Sequence, residues 1–198
     1  MNIFYLHPDP KICAQYHVDK HVNKMILEST QMLMNAYYLE VGITKWSELS
    51  KLDSISRENK LKKIFEVFND TFPRIDEYGY IKPYRPAHWN HPSSQWVRES
   101  KENFEWLLSL ASELVIEKKF RTGKGHKCEF ILEWCKANPP KLQSNGAGKH
   151  NQIKMAFGDE YKKTDSVMEN YRVYYRDGKS HLHKWTKREI PDFILQNL

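Results

Sequence analysis

Apolar residues recur at helical spacing along most of the chain, so the pattern predicts a predominantly helical protein. Residues 1–6 read as a short extended start ended by "HPDP". A long helix is then expected over 11–38, because Pro10 suits a first turn and Gly42 a stop. Further helices are expected over 56–69, 93–120, 128–137 and 165–176. The third puts Trp96, Asn103, Leu107, Leu110 and Leu114 on one face. Between them lie a proline- and aromatic-rich crossing at 71–92 and a loop of turn-formers at 138–152, both expected to be ordered. The fold class is therefore all-α: a single compact domain over 1–198, a bundle of about five helices with a short extended N-terminus and long ordered loops.

The first helix carries an unusual polar stripe. At 3.6 residues per turn, Cys13, His17, His21, Lys24, Glu28, Gln31 and Asn35 fall within roughly ±40° of one line. Ala14, Val18, Val22, Met25, Met32 and Leu33 border it on one side, and Tyr16, Leu27 and Met34 on the other. Asp19, Asn23, Thr30 and Tyr37 lie nearly opposite and make the expected wet side. Polar groups hemmed by apolar ones face a cleft or a buried network. Burial demands partners, and Lys24 with Glu28 at i,i+4 supplies one pair. Such pairing also moves pKa values towards those that acid/base chemistry uses, which makes His17, His21, Lys24 and Glu28 the candidate catalytic set. The alternatives are a network that only ties helices together, or a metal held by His17 and His21 with His88 or His91. Lys20 and Lys24 disfavour a dication there, so no metal and no cofactor is expected.

Charge adds a partner. The net +6 is uneven: residues 118–127 hold five Lys/Arg and no acid, and 171–190 hold six against Asp177 and Glu189. Those windows sum to +9, which leaves −3 for the rest, a distribution that favours an anionic partner. Arg121, Lys124 and His126 cluster around two glycines and suit phosphate, although the P-loop spacing is absent here and in "NGAGKH". His88, Asn90 and His91 sit at the mouth of the third helix, beside free N–H groups suited to a phosphate or a base edge. Near the C-terminus Tyr171, Tyr175 and Trp185 interleave with Arg172, Arg176, Lys179 and Lys187, a mixture that suits stacking on bases, while tyrosines at helical spacing also suit a core. With Lys20, these make the candidate substrate-binding set. Three cysteines, odd in number and without metal-ligand spacing, read as reduced cytosolic thiols. There is neither a signal-peptide pattern nor an apolar run of the roughly 20 residues a membrane helix needs, so the expected location is the cytoplasm, with no membrane partner.

The stretches "MNIFYL" leading into "DP", "HVDKHVNKMILESTQML", "NHPSSQWVRESKENFEWL", "HKCE", "YRVYY" and "KWTKREIP" resemble a widespread set of small proteins of tailed bacteriophages, over nearly the whole chain. More remotely, the order of elements and Asn90-His91-Pro92 resemble the pyrimidine-dimer DNA glycosylase (endonuclease V type) family. That resemblance implies a small basic helical enzyme in the host cytoplasm that kinks DNA, extrudes a base and cleaves its glycosidic bond. The family attacks through a free N-terminal amine, assisted by a glutamate on the first helix. Here Asn2 is large enough for Met1 to be kept, so the amine falls to Met1, or to Lys20 or Lys24, and Glu28 is the nearest glutamate.

The leading expectation is a phage DNA-processing enzyme acting on a base or its N-glycosidic bond, glycosylase- or AP-lyase-like, with DNA as partner. A nucleotide- or modified-base-acting transferase or hydrolase using the same cleft is the alternative. A non-catalytic protein that binds nucleic acid or a host factor is a third reading.

Overall fold

The structure, a computed structural model, describes residues 2–78 and 82–195. It is mainly helical, with eight α-helices among the described residues rather than about five. Two of the expected helices are each broken in two, and a short one is added in the tail. The first break separates α1 (Pro10–Tyr16) from α2 (Asp19–Val41). The second separates α4 (Pro92–Glu99) from α5 (Lys101–Thr122). Between these pairs lies α3 (Ser54–Phe68); α6 (Glu129–Ala137), α7 (Val167–Asp177) and α8 (Asp192–Leu195) follow.

Local chemistry explains the ends. Asp9 accepts from the N–H groups of Lys11 and Ile12, and Pro10 occupies the first turn of α1. Gly42, at φ 67°, ends α2 in the left-handed conformation that glycine adopts without strain. Ser100 is extended and caps α5 by accepting from Asn103 N–H. Asn103 in turn donates to Trp96 O (2.7 Å) and accepts from Asn151 N–H (2.7 Å), so the second break is held by its own cap and by the loop opposite.

The α2 helix lies along α5, with α3 and α4 on its flanks, while α1 packs on α5. The buried apolar side chains form one cluster, which includes Trp96, Phe104, Leu107, Leu110 and Leu114 of the expected third-helix face. Its far end is aromatic: Tyr37, Phe68, Phe72 and Trp134 meet at ring separations of 4.9–5.9 Å. Full burial of a ring such as Phe68 contributes about 1.5–3 kcal/mol. Tyr37 and Thr30, assigned to the wet side by the helical wheel, are buried, because α2 is enclosed on nearly all sides over its second half. Asp19 and Asn23, near its start, keep some exposure. Among the described residues no helix is long and apolar enough to cross a membrane.

Candidate active site

The break between α1 and α2 frees backbone groups in the interior, and residues far away in sequence satisfy them. His17 N–H turns back to Ala14 O and His17 Nδ1 donates to Cys13 O at 2.7 Å. Arg121 of α5 donates to Gln15 O (2.9 Å) and His17 O (2.8 Å). Trp185 Nε1 donates to Tyr16 O, Asp19 N–H to Lys184 O, and Val18 N–H to Tyr175 Oη at 2.8 Å. Each backbone group named here thus has a partner, as the cost of an unpaired one requires, while His17 Nε2 is buried without one among the described residues.

This assigns four expected site residues to the interior. Arg121, expected to hold phosphate, has a side chain only 1% exposed; it is committed to Glu117 (2.6 Å), Asp19 (2.9 Å) and the two carbonyls. Tyr175 and Trp185 are buried and bonded rather than offered to bases. His17, expected to be catalytic, is fully buried, and desolvation pushes its pKa down to about 4, so it is neutral. Because a carbonyl can only accept, the proton sits on Nδ1 and a lone pair on Nε2.

His21 is different in kind. It is nearly buried, stacked on Phe4 at 4.4 Å, and its Nδ1 meets Tyr175 Oη at 2.9 Å. That hydroxyl accepts from Val18 N–H, and its own buried hydrogen finds its acceptor in His21 Nδ1, so the histidine proton is placed on Nε2. Burial, then the charges of His17, Lys179, Lys24 and His181, depress its pKa to about 3. It is a fixed neutral donor among cations.

One and two turns on, Lys24 Nζ lies 3.3 Å from Glu28 Oε1; the lysine side chain is 64% exposed and the glutamate 15%. Further along the stripe Asn35 is buried and donates to Ala87 O (2.8 Å) and Ser94 Oγ (2.9 Å) while accepting from Ala87 N–H. Asn35 thereby ties the 82–91 segment to α2 and brings the turn of His88, Asn90 and His91 towards Glu28. His88 has φ 50°, uncommon for a residue with a side chain and frequent at constrained functional turns. His91 Nδ1 accepts from Ser93 N–H at 3.2 Å, which leaves the proton of the neutral ring on Nε2. Burial, together with the charge of His88 and against that of Glu28, holds its pKa below the usual imidazole range. Arg98 covers the Trp89 ring at 3.8 Å and donates to Trp89 O, which fixes the turn from behind.

The other expected binding residues are scattered. Tyr171 is buried and donates to Asn2 Oδ1 or Lys154 O. Arg172 holds Leu6 O and Glu169, and Arg176 pairs with Asp177. Lys187 donates to Phe120 O, and His126 caps a turn by accepting from Cys128 N–H. Lys20 and Lys124 are exposed; Lys179 lies 4.9 Å over the half-buried Tyr174 ring, on the His21 side. The Met1 amine falls outside the described residues.

Sequence reasoning missed Phe4, Asp19, Glu117, Arg188 and Thr186. Glu117 receives both Arg121 and Arg188 (2.8 and 3.0 Å), and Asp19 receives Arg121 and Thr186. The signal for Glu117 was an acid four residues before an arginine, flanked by Leu114 and Val115 on the same helix. All three cysteines are buried free thiols. Among the described residues no three His, Cys, Asp or Glu side chains gather as a metal site would need. Comparisons with protein-family models, with curated proteins and with solved structures gave no match.

Proposed function

We propose that this protein is a DNA-processing enzyme that acts on a base or its N-glycosidic bond at the open end of the stripe. The observation that supports this reading is the Lys24–Glu28 pair, 3.3 Å apart, beside a neutral His21 and facing a histidine turn anchored by Asn35. A carboxylate next to two neutral imidazoles that each carry Nε2–H combines a general base with two hydrogen-bond donors for developing negative charge. In glycosidic cleavage water adds to C1′ as the C1′–N bond breaks. Glu28 takes the water proton, and the base leaves with the bonding electron pair, its developing anion held by Nε2–H of the neutral His91 or His21 and then protonated by water. In this reading Lys24 and Lys179 neutralise phosphates of the extruded nucleotide. His17 becomes a positioning residue, since it touches the helix break and not the open face.

The exposure and ion pairing of Lys24 bear on the choice of chemistry. A nucleophilic lysine needs burial or crowding cations to lose its proton, and Lys24 instead pairs with a carboxylate. This favours, as the second reading, a transferase or hydrolase acting on nucleotides or modified bases without a lysine imine. Release of free base from damaged or modified duplex DNA, lost in Glu28→Gln, tests the first reading, and borohydride treatment with abasic-site DNA tests whether an imine also forms. A trapped adduct lost in Lys24→Ala assigns the imine to that lysine. Turnover of modified nucleotides without an adduct, abolished by Glu28→Gln, supports the second. DNA binding with no reaction on any damaged or modified substrate overturns both and leaves a binding protein.

A further inference from the structure

A pocket of about 390 Å³ opens between the start of α2 and the end of α5, away from the histidine face. On α2 it uses Val22 and Asn23, which lie about 100° and 200° round the helix from His21. Its inner wall is the Asp19–Arg121 pair, and Lys118, Thr122 and Lys124 of the α5 end complete it.

The wall is already neutralised. Asp19 accepts from Arg121 Nη1 (2.9 Å), Thr186 N–H (2.9 Å) and Thr186 Oγ1 (2.7 Å), and these bonds hold its pKa low against the opposing effect of burial. Arg121 is spent on Glu117, Asp19 and the two carbonyls of the helix break. The charge left to meet a ligand is therefore that of Lys118 and Lys124, and among the described residues neither ammonium has an ion-pair partner. The placement of Lys124 is built in. Gly123, at φ 71°, turns the chain at the helix end, and Lys124 N–H donates to Thr122 Oγ1, so the lysine is set at the pocket by the cap. The charge of Lys118, with that of Lys127, also reaches His126, whose pKa burial and these cations lower, so positive potential extends beyond the rim. Two ammonium groups repel a metal ion, while the Asn23 amide can add a neutral donor to an oxyanion.

We infer that this pocket binds a phosphate group, held by Lys118 and Lys124 with the Asn23 amide, and that it is separate from the site on the histidine face. The phosphate belongs to a DNA backbone or to a free nucleotide. The volume exceeds that of a bare phosphate ion and leaves room for the attached sugar.

The full chain and a Lys118→Gln/Lys124→Gln variant are compared, with Lys62→Gln on the exposed side of α3 as control and far-UV circular dichroism to confirm folding. In wild type and control, inorganic phosphate is expected to raise Tm above that in chloride of equal ionic strength, and the double variant is expected to lose this rise. If the source is DNA, duplex affinity falls on the order of tenfold and the slope of log K against log salt shrinks by about 2. If the source is a nucleotide, binding of a deoxynucleoside monophosphate is lost while duplex binding holds. No phosphate effect in wild type, with duplex and monophosphate binding alike in the double variant and control, overturns the proposal. Glu28→Gln keeps this pocket intact, so loss of turnover in that variant with the phosphate response retained bears only on the histidine face.

Discussion

Arg121→Ala should cost most of the stability of the domain. The side chain is 1% exposed and makes four hydrogen bonds, two to carboxylates and two to carbonyls at the helix break. Breaking a buried ion pair from one side costs about 3–5 kcal/mol, and an orphaned buried carbonyl such as that of His17 adds about 1–3. Glu117 keeps Arg188, and water can reach Gln15 O, so the lower half of that range applies, about 4–6 kcal/mol in total. Against a typical total of about 5–15 kcal/mol, the variant is at the edge of folding. Arg121→Lys keeps the charge but cannot span both carbonyls and both acids from one point; it should lose about 1–3 kcal/mol. Urea titration followed by circular dichroism and tryptophan fluorescence measures both. A loss below about 1 kcal/mol for Arg121→Ala would refute the reasoning. So would a variant of unchanged stability whose DNA affinity falls, because Arg121 would then be a ligand for phosphate and not an internal tie.

Acid should destabilise the protein early: the folded pKa values of His17 and His21, about 4 and about 3, lie below the unfolded 6.5, so the unfolded chain binds more protons below that point. Stability present above pH 6.5 should fall by roughly 2 kcal/mol per histidine between pH 6.5 and 5, and a urea midpoint flat over that window would contradict it. Asn35→Ala should free the 82–91 segment, giving faster chymotryptic cleavage after Trp89 while the rest of the chain resists; cleavage at the wild-type rate would count against the anchor. Tyr175→Phe should remove the hydroxyl between Val18 and His21 at a cost of about 1–3 kcal/mol, and release the His21 tautomer, read from its ring nitrogen shifts. An unchanged Nε2–H tautomer in that variant would show that something other than Tyr175 sets it.

The helices were legible because their apolar faces are periodic; the breaks were not, because the periodicity runs through them. No proline or glycine marks residues 16–19, and the interruption exists only because Arg121, Tyr175, Trp185 and Lys184 supply bonds across the fold. The inward-facing stripe was legible from its apolar flanks, and it divides along its length: His17 and Asn35 are buried structural ties, His21 is buried against Phe4 and Tyr175, and Lys24 and Glu28 reach the surface. Basic residues were legible as charge but not as exposure. Arg121 and Lys124 stand three apart at the end of α5, one sealed inside and the other exposed, a difference set by Glu117 one turn earlier on α5 and by Asp19 of α2.

The bonds that close the α1–α2 break also impose an order on synthesis. Residues 16–19 emerge from the ribosome long before their partners, which lie 102 to 169 positions later, most of them at least 157. Until the segment around 184–188 appears, the junction keeps its backbone groups in water, and α1 and α2 have reason to join into one continuous helix. The nascent chain is therefore expected to hold a straight first helix that must bend when the C-terminal strap arrives. That makes the last step of folding a conformational conversion of the first element made, and makes products truncated before the strap poor substrates for anything but proteolysis.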